Sequence, residues 1–315
     1  MKIVEYRIFV PLELPQCRTA SKYSVNKRTR EETGNGEGFE IIESGEFEED
    51  GIIGRYVHRV LHFKSRVPAS LRWVIPDKYS HIHEHNRNAF PHYVATFRIP
   101  AMGDRMILDT ETVHFPYKQG DQLPENPMHM TEDELKIRQI HYLDILNGPA
   151  PEKKKYDLHG YSCPEANIQE LQGPTGKSND LEVPEWVQYY NGPITLIVKT
   201  VKFKAKIPGA QTILEKYIAN SVFYRVYLDT HRAMLIDAPE WAHFNEDDIK
   251  AMENHTQNEL NAHEFDRDDE EGAPQANPAP KEDQPKEEKK SKHHSKKHKK
   301  SEKKEENEEA ETPEE

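Results

Sequence analysis

The sequence predicts an α+β domain built on one long, mainly antiparallel sheet. Two observations carry that prediction. Several segments alternate in polarity with a period of two, separated by hairpin-length spacings, and clear helical periodicity appears only after the last of them. Alternating βαβ construction would mix the two patterns along the chain.

Taken in order, Lys2–Val10 opens the strand series and Gly38–Glu43 follows. In Tyr56–Phe63 one face presents Val57, Arg59, Leu61 and Phe63, and the other presents Tyr56, His58, Val60 and His62. His92–Ile99 groups Tyr93, Ala95, Phe97 and Ile99, and Met106–Phe115 is the next strand. A short helix is predicted over Thr131–Ile145, with Thr131 as N-cap and Glu134 closing a capping box. Asn147–Pro164 and Gly173–Pro184 are rich in breakers and are predicted loops. Ile194–Phe203 is β-branched and threaded with Lys199 and Lys202, with Lys204 just beyond. Leu214, Ile218, Val222, Val226 and Leu235 recur at helical spacing, which predicts one helix over Gln211–Leu235, limited by Pro239. A last helix opens at Asn245, whose side chain caps the free amides while Glu246, Asp247 and Asp248 meet the positive helix end, and runs to about Ala262.

Charged residues make up 31% of the chain and hydrophobic ones 35%, but the polar excess is concentrated after His263, so residues 1–262 retain enough apolar material for a core. The tail, His263–Glu315, has almost no aliphatic residues and is expected to be disordered. Its KKSKHHSKKHKKSEKK block suits anionic headgroups, or is a solvated polyampholyte cancelled by the acidic EENEEAETPEE end. The net charge of −13 argues against a nucleic-acid partner. Cys17 and Cys163 are far apart and suggest neither a disulfide framework nor a thiolate metal site. No segment approaches the roughly 20 apolar residues of a membrane span, and MKIVEYRIFVPLELP runs directly into strand-like sequence, so a soluble, cytoplasmic protein is expected.

Five collinear segments are informative together: EETGNGEGFEII at Glu31–Ile42, DGIIGRYVHRVLHFKSRVP at Asp50–Pro68, HIHEHNRNAFPHYVAT at His81–Thr96, TVKFK at Thr200–Lys204 and DDIKAMENHT at Asp247–Thr256. In this order they resemble the class I phosphatidylinositol transfer proteins, from the N-terminus to about Ala262. The resemblance implies a START-like helix-grip fold, in which a concave sheet is closed by long helices around a lipid cavity. It also implies binding of one phosphatidylinositol or phosphatidylcholine molecule and its exchange between membranes, without enzymatic activity, metal or cofactor. Transient membrane contact and a monomer are expected of such a carrier. A carrier needs an apolar interior because each buried CH₂ is worth about 0.8 kcal/mol, and polar partners at one end because a buried headgroup without them costs several kcal/mol.

The resemblance carries headgroup roles onto Arg59, Asn88, Glu253 and Thr112. Arg59 stands where the family has a lysine. Read from the residues alone it is a charge on an apolar face, which fits either headgroup contact or a salt bridge with its stem packed on the core. Asn88 alone reads as a turn residue, Glu253 as an exposed helical carboxylate and Thr112 as a strand threonine. At four further positions the chain departs from the family: Val57 and Ala95 replace threonines, Ser21 a glutamine and Ile197 a lysine. Those losses predict altered headgroup discrimination, since each unpaired inositol hydroxyl costs about 1–3 kcal/mol. The membrane-docking loop, Lys204, Ala205, Lys206 and Ile207, lacks the family's paired tryptophans, so docking is expected to rest on lysine and to weaken with salt. Asn167 stands where relatives carry a candidate phosphorylation serine.

His81, His83 and His85 alternate along one strand face and raise a metal centre as a rival, but no other ligand cluster supports it. A second rival is a lipid sensor that presents its ligand to a signalling partner with little bulk transfer. The missing tryptophans and the charged tail favour it.

Overall fold

The structure, a computed structural model, describes residues 1–49, 51–63, 81–151, 153–173, 181–209, 211–217 and 222–265. The strands are β1 Lys2–Val10, β2 Gly38–Glu49, β3 Ile52–His62, β4 His81–Ala89, β5 His92–Arg98, β6 Met106–Tyr117, β7 Arg138–Leu143 and β8 Ile194–Ala205. The helices are α1 Leu14–Glu31, α2 Glu132–Ile137, α3 Trp186–Tyr189, α4 Gln211–Tyr217, α5 Phe223–Ile236, α6 Ala238–Trp241 and α7 Glu246–Asn261. The strands form one eight-stranded sheet in the order β2-β3-β4-β5-β6-β8-β1-β7. Every neighbouring pair is antiparallel except β1 and β7.

Burial explains why β1 is central: every residue from Ile3 to Val10 is buried, so both faces must be covered. On one face Tyr6 meets the edge of Tyr227 from α5, with ring centroids 5.2 Å apart. On the other, Phe9 meets Tyr117 at 4.9 Å, and the segment between β6 and β8 supplies Met128, Met130, Leu158, Ile168 and Trp186 to the same core. Glu5 lies on this second face, fully buried, and survives there because Arg7 at 2.7 Å and Arg138 at 2.9 Å neutralise it.

Three expectations change. Thr131–Ile145 is not one helix. The capping box forms as predicted, with the Thr131 hydroxyl accepting from the Glu134 amide at 3.3 Å, but α2 stops at Ile137 and Arg138–Leu143 turns into β7. The open edge of β1 offers that segment a full backbone ladder, and RQIHYL, with its β-branched and aromatic residues, takes it. Second, the helix expected over Gln211–Leu235 is described as α4 and α5, with residues 218–221 outside the described residues. Its inward face keeps Leu214 and Leu235, both buried, but not Val226, which is 45% exposed, and it adds Leu228, His231 and Arg232. Third, Leu14–Glu31 is a long helix that apolar periodicity did not reveal, because its buried face consists of Cys17, Ala20, Tyr23, Ser24 and Thr29.

The last helix matches its expectation: the Asn245 side chain accepts from the Asp247 and Asp248 amides, and Ala262 is the C-cap. Of the expected tail only His263–Phe265 is described, with the Phe265 ring stacked on His62 at 4.7 Å. Most of the predicted Gly173–Pro184 loop also lies outside the described residues. No described helix is long and apolar enough to cross a membrane.

Candidate ligand-binding pocket

One row of side chains crosses the helix-covered face of the sheet. Arg55, Asn88, Tyr93, Thr112, Lys199, Tyr6 and His141 are successive cross-strand partners from β3 to β7. Direct opposition puts partners on the same face. Contacts agree: Lys199 Nζ lies 3.4 Å from Thr112 Oγ1, and the Tyr6 and His141 rings stack at 5.7 Å.

At the β3 end of this row, α1 and α7 stand off the sheet and leave a cavity of about 430 Å³. Its walls include Ser21, Val57, Arg59, Asn88 and Glu253, drawn from α1, β3, β4 and α7. The structure therefore gathers three of the four headgroup candidates in one space. Thr112 lies two strands further in, beside Lys199 rather than in the cavity wall. Ala95 and Ile197, both buried, share its face without reaching the cavity.

In the cavity wall Arg18, Lys22, Arg55 and Arg59 each have a carboxylate, whereas Lys250 is exposed to water. Arg59 donates from Nε and Nη2 to Glu84 at 2.7 and 3.0 Å, from Nη1 to Thr29 at 3.2 Å, and lies 4.6 Å from the centre of the Phe39 ring. Arg55 donates to Glu253 at 2.8 Å, and Lys22 lies 4.0 Å from the same carboxylate. Arg18 and Lys22 reach Glu246 at 2.9 and 3.7 Å. Glu253 is thus no free helical carboxylate: it ties α7 to β3. The buried Thr256 hydroxyl, also in the wall, has no hydrogen-bond partner among the described residues.

Sequence reasoning missed Arg55, although the alternation that placed Arg59 on this face places Arg55 there as well. It missed Arg18 and Lys22 because it missed α1. Gly54 is required where it stands: an added Cβ would lie 2.4 Å from the Phe47 ring and 2.8 Å from the Asn88 carbonyl oxygen.

The docking-loop residues separate. Ala205 is the last residue of β8 and fully buried, so it is a core residue and not part of an exposed loop. Lys206 is exposed, Lys204 and Ile207 are half-buried, and Ile207 packs on the core. Asn167 adopts the left-handed conformation, φ 54°, that asparagine tolerates. On the opposite face of the sheet His58 lies 3.1 Å from His83 and stacks on His85 at 4.1 Å, yet no three such side chains converge as a metal-ligand set among the described residues.

Fold and pocket together define an α+β protein with a mixed-charge pocket walled by helices against its sheet. The chain belongs to the phosphatidylinositol transfer protein family, whose model matches residues 1–258. It is similar to phosphatidylinositol transfer protein 1 of Dictyostelium discoideum, 29% identical over 266 residues, covering 82% of this chain and 94% of that protein. It is 28% identical over 264 residues to the beta isoform of Bos taurus, covering 82% and 93%. The beta isoform of Homo sapiens gives the same figures.

Proposed function

We propose that the chain binds one phospholipid, phosphatidylinositol or phosphatidylcholine, and exchanges it between membranes. The observation that carries this is the convergence of Arg59, Asn88 and Glu253 on one cavity in a member of this family. Asn88 both donates and accepts, and Glu253 accepts, so the pair suits a polyol headgroup. The acyl chains require an apolar lining. Leu108, Phe203, Val201 and Ile197 present one on the same sheet face, and the helices facing it act as the closing half of a START-like grip. Because Arg59 is already paired with Glu84, its contact with a headgroup is shared with that carboxylate. Val57 and Ala95 contribute no hydroxyl, which supports weaker discrimination between headgroups.

Lys206 and the partly exposed Lys204 supply the electrostatic attraction to anionic membranes, with transient docking that weakens at high ionic strength. Mass spectrometry of lipid that copurifies with the full chain tests the binding reading. Donor-to-acceptor vesicle transfer tests exchange. One phospholipid per chain together with transfer is the expected result, and a chain that takes up no phospholipid from vesicles refutes the proposal. A chain that retains lipid without transferring it is a presenter rather than a carrier.

A further inference from the structure

The histidines that alternate along β4 have no part in the cavity. They lie on the sheet face turned away from it, and β3 adds His58 to them. Ladder register sets Glu43, His58 and His85 directly opposite one another across β2, β3 and β4. His83 is the diagonal neighbour of His58, and there the rings meet nitrogen to nitrogen: His58 Nε2 lies 3.1 Å from His83 Nδ1, with centroids 5.3 Å apart.

That contact is a hydrogen bond between two imidazoles, one nitrogen donating and the other accepting. The same spacing suits a metal ion. Imidazole nitrogens bind zinc at about 2.0–2.1 Å, so two of them on one ion stand roughly 3 Å apart. His58 and His83 have that separation, and both are half-buried. His85 stacks on His58, with centroids 4.1 Å apart at an interplanar angle of 18°, and holds its ring in place. The surrounding charge favours a cation. Glu43 stands opposite His58 and accepts from the neutral Tyr56 hydroxyl at 2.9 Å. Arg87 and Arg98, on the same face of β4 and β5, are neutralised by Glu49 at 2.8 Å and Asp109 at 2.6 Å.

We propose that His58 and His83 form a two-imidazole site for a divalent metal ion of the zinc and copper class. Three protein ligands do not converge among the described residues, so water completes the coordination. No proton is released: the one between the facing nitrogens moves to the far nitrogen of its own ring, and both facing lone pairs go to the ion. The bound ion joins β3 to β4 and stabilises the fold by mass action. This site and the phospholipid reading do not depend on each other.

The test uses the full-length chain with His293, His294 and His298 replaced by alanine in every arm, so that the tail adds no imidazole. Zn²⁺ is expected to raise the melting temperature of this parent chain and to bind one per chain in titration calorimetry, and Cu²⁺ to bind more tightly. Mg²⁺, which prefers oxygen ligands, is expected to do neither. His58→Gln and His83→Gln are each expected to weaken zinc binding at least tenfold. Without metal both are expected to melt near the parent temperature, because glutamine can take up the hydrogen bond. His81→Gln, outside the pair, is expected to bind zinc as the parent does.

Electron paramagnetic resonance of the Cu²⁺-loaded parent chain keeps the proposal testable even if the variants do not fold. Coupling to two imidazole nitrogens is the expected result, and coupling to one or none overturns the proposal. Equal zinc affinity in the parent and in the chain carrying both His58→Gln and His83→Gln overturns it as well, as does a parent chain that takes up no zinc at submillimolar concentration.

Discussion

The cavity rim and the middle of the sheet treat positive charge differently. At the rim, Arg59, Arg55, Lys22 and Arg18 are each matched to Glu84, Glu253 or Glu246, which joins α1, α7, β3 and β4. In the middle, Lys199 has a threonine and a tyrosine ring. Paired charges hold the fold around the cavity, whereas a desolvated one without a carboxylate among the described residues weakens it. Stability should therefore respond oppositely to mutation in the two regions.

Acid should act most strongly, and on the middle of the sheet. His114 and His231 are buried neutral, with folded pKa values of about 4 and 3, below their usual 6.5. Their contribution is complete above pH 6.5 and is lost as the pH falls from there toward 4, at up to about 1.4 kcal/mol per pH unit for each. Urea midpoints between pH 7 and pH 4.5 should fall accordingly, and less steeply in His114→Asn. Next in size, Arg59→Ala or Glu84→Ala should each cost about 3–5 kcal/mol by stranding a buried charge, measured by chemical denaturation. Replacing both residues with leucine should cost less than either single change.

Gly54→Ala should cost about 2 kcal/mol by pushing the Phe47 ring and the Asn88 carbonyl apart, and should lower phosphatidylinositol uptake. Glu253→Gln removes the charge that Arg55 meets and should cost about 1.5 kcal/mol. It should also shift lipid competition toward phosphatidylcholine, and an unchanged competition profile would remove Glu253 from the headgroup site. Smallest of all, Arg30→Ala, which breaks the surface pair with Glu259 at 2.7 Å, should cost less than about 1 kcal/mol.

The parts of the fold legible in the sequence were those whose signal is local. Six strands were legible as candidate segments, α2 showed a capping box, and α7 showed an N-cap asparagine followed by three acidic residues. Helix α1 was hidden because the face it buries is mostly small and polar, and β4 showed itself only in its alternating histidines, since HIHEHNRNA has no apolar alternation. The β7 segment depends on the edge of β1, where Ile3 pairs with Arg138 and Ile8 with Leu143, too far off for any window of sequence to contain. At the site, Arg59, Asn88 and Glu253 came from resemblance and met in one cavity, but the ion pairs that position them required α1 and Arg55. Lys199 lies two residues from Ile197 on the same face of β8, a neighbour that reading single positions did not show.

The strand order also bears on how the chain acquires its shape as it is made. Strands β2 to β6 pair in the order in which they are synthesised, each with the one before, and need only short closures. The first strand is different, because both of its neighbours come from residues 138–143 and 194–205. Its nearly all-buried length must wait for about two-thirds of the chain to leave the ribosome, exposed or chaperoned meanwhile. Chains that end before β8 should hold their hairpins loosely and stick to one another.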